Sequence, residues 1–383
     1  MITKLGTLIS EYSVRNKQDE DIPVYSVTNE QGFCTGYFSK DVASKDRTTY
    51  KIVPRGYFAY NPSRINVGSV DWQSCEDRVI VSPLYVVFRG NDKLDQRYLL
   101  HYLKSDIALT LIKARASGSV RDNLKFSILS EFPINLRPIE EQQKIADTLD
   151  RIDRVIKLRE EEIETLDNLV KSRFIELFGD PIANQFGWDT TNIGAIVTEV
   201  RYGTSRPAVE NGKYPYLRMN NLTFDGHLDL KDLKRIDIPE EEIEKCIVRK
   251  GDVLFNRTNS VELVGKTCVL NLDEEMVIAG YIIRVRLGQK MIPTVFSAFM
   301  NSQPIKELLR GMAKGAVNQA NINAQELQSI RIYLPPIDLQ EQFAAFVEQT
   351  DKSKYYSASS LFLCRTAAKT IRQEWMSCLT LNS

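Results

Sequence analysis

Leu136-Arg137-Pro138-Ile139-Glu140-Glu141-Gln142 returns as Leu334-Pro335-Pro336-Ile337-Asp338-Leu339-Gln340, an offset of 198 residues from Pro138 to Pro336. Other landmarks recur in the same order. Gly118-Ser119-Val120 matches Gly315-Ala316-Val317, Gly56-Tyr57-Phe58-Ala59-Tyr60-Asn61 echoes Gly251-Asp252-Val253-Leu254-Phe255-Asn256, and Leu5-Gly6-Thr7-Leu8 echoes Ile193-Gly194-Ala195-Ile196. The chain is a head-to-tail duplication of a globular unit followed by a long helix. Such a molecule grips two places at once.

Each proline opens an amphipathic run. Ile145, Leu149, Ile152, Ile156, Ile163, Leu166, Val170 and Leu177 fall on alternating four- and three-residue steps, with Arg159 and Arg173 interrupting. That is a coiled-coil seam. Shifted by 198, the seam reads Phe343, Val347, Thr350, Lys354, Ser357, Leu361, Cys364, Ala368, Ile371 and Trp375. Its small and polar members suit a partner with bulky side chains, so the two helices are expected to pair with each other. Proline suits a helix start, and Gly179 before Asp180-Pro181 reads as a stop. A rod of about 39 residues at 1.5 Å each spans roughly 58 Å.

The expected fold class is α+β: two mixed α/β domains with a twisted sheet or partial barrel, separated by two long antiparallel helices in a pseudo-twofold repeat. The boundaries read as 1–138, 139–179, 180–336 and 337–380. Expected strands include Tyr50–Val53, Tyr57–Tyr60, Arg78–Val81, Tyr85–Phe88, Asp252–Phe255, Thr267–Leu270 and Ile282–Arg286. One helix is expected over Gln96–Ala114 and another over Pro293–Met312.

With 383 residues, 43% hydrophobic and 26% charged, the composition is that of a globular protein with two to three domains. The N-terminus lacks an apolar leader, and no run of about 18 apolar residues occurs, so a cytoplasmic, membrane-free protein is expected. The six cysteines form no C-x-x-C pair, which argues for reduced thiols and against zinc. The net charge is zero, yet it is unevenly spread. Arg97 to Lys125 carries six bases against two acids, and Glu140 to Phe178 carries eleven acids against seven bases. The basic stretch suits phosphate; the acidic helix suits protein or solvent.

Catalytic signatures are missing. There is no GxxxxGK[ST], GxGxxG or HExxH, Asn61-Pro62-Ser63-Arg64 lacks the second proline and aromatic of an amino-methyltransferase loop, and His101 and His227 do not match across the repeat. Neither catalysis nor a metal is expected. What remains are polar loops. Their candidate DNA-contacting residues are Arg64, Ser117, Ser119, Arg121, Arg201, Tyr202, Arg206, Arg257, Asn259, Lys314, Asn318 and Gln319. Arg, Asn, Gln and Ser read base edges, and Lys holds phosphate. The same residue types also serve as plain loop chemistry.

Taken with the duplication, several motifs carry a family resemblance. They are Gly251 through Ser260 with Leu263-Val264-Gly265-Lys266, Tyr214-Pro215-Tyr216-Leu217-Arg218-Met219-Asn220-Asn221, Leu334-Pro335-Pro336 leading into Gln340-Glu341-Gln342, and Arg173 through Pro181. The whole chain resembles the specificity subunit of a type I restriction–modification system. The resemblance implies two target-recognition domains, each reading half of a split site in double-stranded DNA. It implies helices that bind two methyltransferase subunits, and restriction subunits through them. It also implies adenine methylation with S-adenosylmethionine held by the partner, with no cofactor in this chain. A roughly 58 Å rod then sets the half-sites on the order of one to two duplex turns apart. The first unit departs from the motif, with Tyr57-Phe58-Ala59-Tyr60-Asn61-Pro62-Ser63-Arg64 in its place, so the half-sites are expected to differ. The competing reading is a non-catalytic adaptor whose coiled coil joins two protein-binding modules.

Overall fold

A computed structural model describes residues 1–36, 47–116, 123–313 and 320–376. The chain divides into two compact units, Met1–Glu161 with Ala358–Ser383, and Glu162–Ser357. Each unit therefore contains a stretch of both long helices, Ile139–Phe178 and Ile337–Met376, which are 40 residues each.

At the centre of the first unit is a four-stranded antiparallel sheet in the order Ile9–Glu11, Val86–Gly90, Phe58–Tyr60, Val70–Trp72. The second unit repeats it as Val197–Tyr202, Ile282–Leu287, Val253–Asn256, Thr267–Val269. Phe58 faces Phe88 and Tyr60 faces Val86; correspondingly, Val253 faces Val285 and Phe255 faces Ile283. These middle strands are apolar at nearly every position because both faces are covered. Phe58, Tyr60 and Phe88 point into one cluster, while Ala59 and Val87 point into another with Val53, Val79 and Val81. The second unit divides Val253 and Phe255 from Leu254 and Ile282 in the same way.

Smaller elements repeat as well. A ribbon of Ile2–Lys4 with Pro133–Asn135 is matched by Thr190–Asn192 with Arg331–Tyr333. Leu5 and Ile193 open equivalent 3-10 turns, and both are fully buried. The flanking sheets differ. Lys51–Pro54 pairs with Arg78–Val81 in the first unit, whereas the second has four strands with one parallel pairing, Tyr216 to Val277. Among the described residues no sheet closes into a barrel.

The single helices expected at Gln96–Ala114 and Pro293–Met312 are each two. The first breaks into Gln96–Leu103 and Asp106–Ala116, the second into Pro293–Asn301 and Gln303–Met312. A serine at each break ends one helix and starts the next. Ser105 Oγ donates to the Tyr102 carbonyl at 2.6 Å and accepts from the Ala108 amide at 3.3 Å. Ser302 is extended, and Pro304 sits in the first turn that follows.

In the first unit the start of the first long helix packs on the end of the second. Ile145, Ala146 and Leu149 share a core with Ala368 and Met376, flanked by half-buried Ile152, Ile371 and Trp375. Ile156 and Leu361 are half-buried. Asp153 and Arg372 pair through both carboxylate oxygens at 2.9 and 2.8 Å. In the second unit the polarity is the same: Phe174 and Phe178 meet Phe343, with Val170, Leu177 and Val347 beside them. Ile163 and Leu166 are half-buried. Thr350 and Ser357 are buried, and Lys354 Nζ reaches Asp167 at 2.8 Å. The helices run antiparallel.

One side chain ties each helix start to its unit. Gln142 is fully buried; its Nε2 donates to the carbonyls of Lys93 and Arg137, and its Oε1 accepts from the Asp95 amide. Gln340 repeats this with Lys290, Pro335 and Ile292. The recurrence of all three bonds makes the duplication a structural fact as well as a sequence pattern.

Candidate nucleic-acid interface

The loop after Val253–Asn256 is built from the inside outward. Asn256 is fully buried, donating to the carbonyls of Thr258 and Tyr281 at 3.2 and 3.1 Å and accepting from Asn259 Nδ2 at 2.9 Å. Thr258 Oγ1 donates to Asn321 Oδ1 at 2.8 Å, and Thr258–Asn259 pairs with Ala320–Asn321. Both backbone groups of Arg257 are bonded, its N–H to Tyr281 O and its carbonyl to the Ile322 amide, each at 2.9 Å. With its backbone fixed, Arg257 sends its side chain over the ring of Tyr202, 4.8 Å from the centroid, and Nη1 donates to Gly280 O at 3.3 Å. The Tyr202 hydroxyl is held in turn by the Ala324 amide at 2.9 Å. Gly203 lets the chain pass at this point, because a Cβ there would lie 2.2 Å from the Ile278 carbonyl oxygen.

Arg257 and Tyr202 are thus brought together as a stacked pair worth about 0.5–2 kcal/mol. Tyr281, which the sequence reading missed, is an exposed aromatic joined to them through its backbone. Asn259 spends its amide inside the loop, on Asn256 and Ser260. Arg201 is bonded to Glu199 at 3.0 Å, and Arg206 makes a bidentate pair with Glu242 at 3.0 and 2.7 Å. Arg64 lies in the first unit, exposed, with no side-chain partner among the described residues. Ser117, Ser119, Arg121, Lys314, Asn318 and Gln319 lie outside the described residues.

The expected basic stretch is partly neutralised. Arg97 binds Asp147 and Asp150 of the first long helix at 2.6 and 3.0 Å, and His101 Nε2 lies 2.8 Å from Asp150. Three potential metal ligands, Asp167, Asp225 and His227, converge in the second unit. Lys354 already sits among them, 2.8 Å from Asp167 and 3.0 Å from His227 Nε2, so an ammonium supplies the cation.

The sequence reading also missed two sets of buried charge. Arg284 is fully buried in an apolar strand and meets Glu199 at 2.8 Å; Glu199 also meets Arg286 at 2.9 Å. Burial opposes ionisation of Glu199, but the Arg201 bond and the charges of Arg284 and Arg286 outweigh it and hold the carboxyl below its ordinary value. Lys306 has no acid. It donates to the Gly265 carbonyl at 2.7 Å and lies 5.2 Å from the Phe224 ring, and burial, with repulsion from Arg310 and Lys266, pushes its ammonium down to about 7.

The unfolded chain therefore binds more protons than the folded chain between about pH 7 and 10.5. The resulting penalty is full below pH 7, shrinks steadily between pH 7 and 10.5, and is absent above that. Lys306→Met is expected to stabilise the second unit by on the order of 2–4 kcal/mol at pH 6, and by progressively less toward pH 10. Gly265 O remains bonded to Thr267 Oγ1 in that variant. Urea unfolding across pH checks this; a pH-independent change contradicts it.

The family described as "Type I restriction modification DNA specificity domain" matches residues 3–168 and again 188–355. The specificity subunit of the type I restriction enzyme EcoKI from Escherichia coli K12 is 24% identical over 286 residues, 70% of this chain and 60% of that protein. The EcoBI specificity subunit of Escherichia coli is 23% identical over 347 residues, 81% of this chain and 71% of that protein. The S subunit of the type I restriction–modification system from M. genitalium superimposes with a TM-score of 0.59 at 16% identity, covering 99% of this chain and 96% of that one. A chain from the structure of a type I R-M system studied for complex assembly and conformational transition gives 0.55 at 18% identity, covering 97% and 96%.

Proposed function

This chain belongs to the family of type I restriction–modification DNA specificity domains, and from that premise we propose that its two units each read one half of a split double-stranded DNA target. Its own role is recognition without catalysis. The observation that carries the proposal is the repeated unit itself: one sheet register, one buried glutamine and one helix start, present twice. Two similar readers on one chain suit a target in two parts.

The long helices serve as the scaffold for two methyltransferase subunits, and through them for restriction subunits. Exposed apolar side chains support this, Phe362 and Leu363 in the first unit and Tyr355 and Tyr356 in the second. Adenine methylation would then use S-adenosylmethionine held by the partner, and this chain would need no cofactor. Recognition domains at 1–138 and 180–336 alternate with helices at 139–179 and 337–380. No helix among the described residues is long and apolar enough to cross a membrane, and the proposed setting is the cytoplasm.

Arg257 is the best-prepared reader in the second unit. Its guanidinium is a fork of donors, and stacking on Tyr202 removes much of the freedom it would otherwise lose on binding. Guanine, with adjacent O6 and N7 acceptors, is the matching base. In the assembled complex Arg257→Ala is expected to cost about 1–3 kcal/mol of discrimination at one base pair of one half-site. Binding to a set of single-base-substituted duplexes checks this. Equal weakening for every sequence would make Arg257 a phosphate contact instead.

A further inference from the structure

The sheet registers fix which residues of the two units correspond. Tyr60 faces Val86 as Phe255 faces Ile283, and the Leu124 amide donates to Pro62 O as the Ile322 amide donates to Arg257 O. Pro62 therefore stands where Arg257 stands. On the edge strand, Glu11 faces Phe88 as Val200 faces Val285, which puts Ser13 at the position of Tyr202. The first unit has neither half of the arginine–tyrosine stack. Arg64, the candidate reader there, lies past Pro62 in a loop two residues shorter than its counterpart and does not correspond to Arg257.

Beside Pro62 is a cleft of about 440 Å³, lined by apolar Val86, Leu124 and Phe126 and by polar Glu11, Asn123, Lys125 and Ser127. Both charged residues are exposed and neither makes an ion pair among the described residues, although the Lys51 ammonium feels the Glu11 charge. Lys125 suits a phosphate. A carboxylate beside a DNA backbone is repelled unless it accepts a hydrogen bond from a base. Adenine offers its amino group beside the N7 acceptor, which repels a carboxylate; cytosine offers N4 without such a neighbour on its own edge.

We propose that Glu11 is a specificity-determining residue of the first unit, accepting from a cytosine amino group at the cleft. The two half-sites are then read with opposite chemistry: a donor fork at Arg257, an acceptor at Glu11. This rests on the DNA-recognition reading.

The test uses the whole chain assembled with its methyltransferase partner and a duplex library randomised over both half-sites, sequenced after capture. Glu11→Ala is expected to lower the preference for cytosine at one base pair roughly 10-fold while the other half-site stays as selective as before. Glu11→Gln is expected to move that preference toward adenine, which pairs with an amide in two bonds. Unchanged preferences in both variants, or equal weakening at every position, overturn the role of Glu11 while the DNA-recognition reading stands. Failure of the unsubstituted complex to enrich any sequence overturns that reading and this inference together.

Discussion

Alanine at Phe343 is expected to destabilise the second unit by about 3–5 kcal/mol, the range for removing a fully buried aromatic. Phe343 is completely buried, and its ring lies 5.6 Å from Phe174 and 5.5 Å from Phe178, edge to face in both cases. Those three rings join both long helices to the sheet-bearing part of the second unit, alongside Tyr333 and Phe299 in the same core. Truncation leaves a cavity that stiff neighbouring helices cannot collapse. Hydrogen exchange is the measure: amides of the second unit should lose protection while those around Leu149 and Leu99 keep theirs. A loss below about 1 kcal/mol would mean that the helices do not hold that unit together.

Glu199→Ala is expected to cost a similar amount, about 3–5 kcal/mol, for a different reason. It strands Arg284, whose guanidinium is fully buried and would keep, among the described residues, the carbonyls of Ile247 and Glu244 and the more distant charge of Asp252. Leaving an ion buried without its counter-charge costs more than the pair contributes when intact. The double variant Glu199→Leu with Arg284→Met should accordingly recover most of the loss, since a well-packed apolar pair replaces an ionic one at little cost. The pH dependence has a definite sign. The Glu199 carboxyl is held below its ordinary value, so its stabilisation is present above that value and is lost as pH falls through the folded one. Urea unfolding of the single and double variants decides between the two outcomes.

The parts of the fold that could be read from sequence are those governed by long periodicities. Pro138 and Pro336, the apolar steps after them and Gly179, which takes a left-handed φ of 78°, mark the helices from local chemistry alone. The far ends were harder. Counting strict seven-residue repeats from Ile145 reaches Arg173, but a 3.6-residue helix drifts by about 20° per heptad, and after four heptads the buried residue is the next one, Phe174. The helix break at Ser105 was hidden because apolar spacing continues through it, whereas Pro304 just after Ser302 was a breaker signal left unused.

Part of the candidate site's geometry was within reach of one unit's sequence. Arg257 and Tyr202 are both picked out in polar loops, and the structure stacks them, with Tyr202 ending the strand Val197–Tyr202 instead of lying in a loop. The match between units was legible here as well, because pairing Asn61 with Asn256 already sets Pro62 against Arg257. Backbone register agrees and assigns that place to Pro62, so Arg64 is a separate candidate and not a second copy of Arg257. Buried charges such as Arg284 had a signal that went unused: a basic residue inside the apolar strand Ile282–Leu287 needs an acid opposite it, and Glu199 is on the neighbouring strand.

The central claim is that one chain carries two readers for one divided DNA target. Long-read mapping of methylated adenines in cells with this gene intact and deleted tests it most directly. Deletion is expected to remove a single motif made of two dissimilar half-sites separated by a fixed run of unspecified bases. A methylation map that is identical with and without the gene would contradict it.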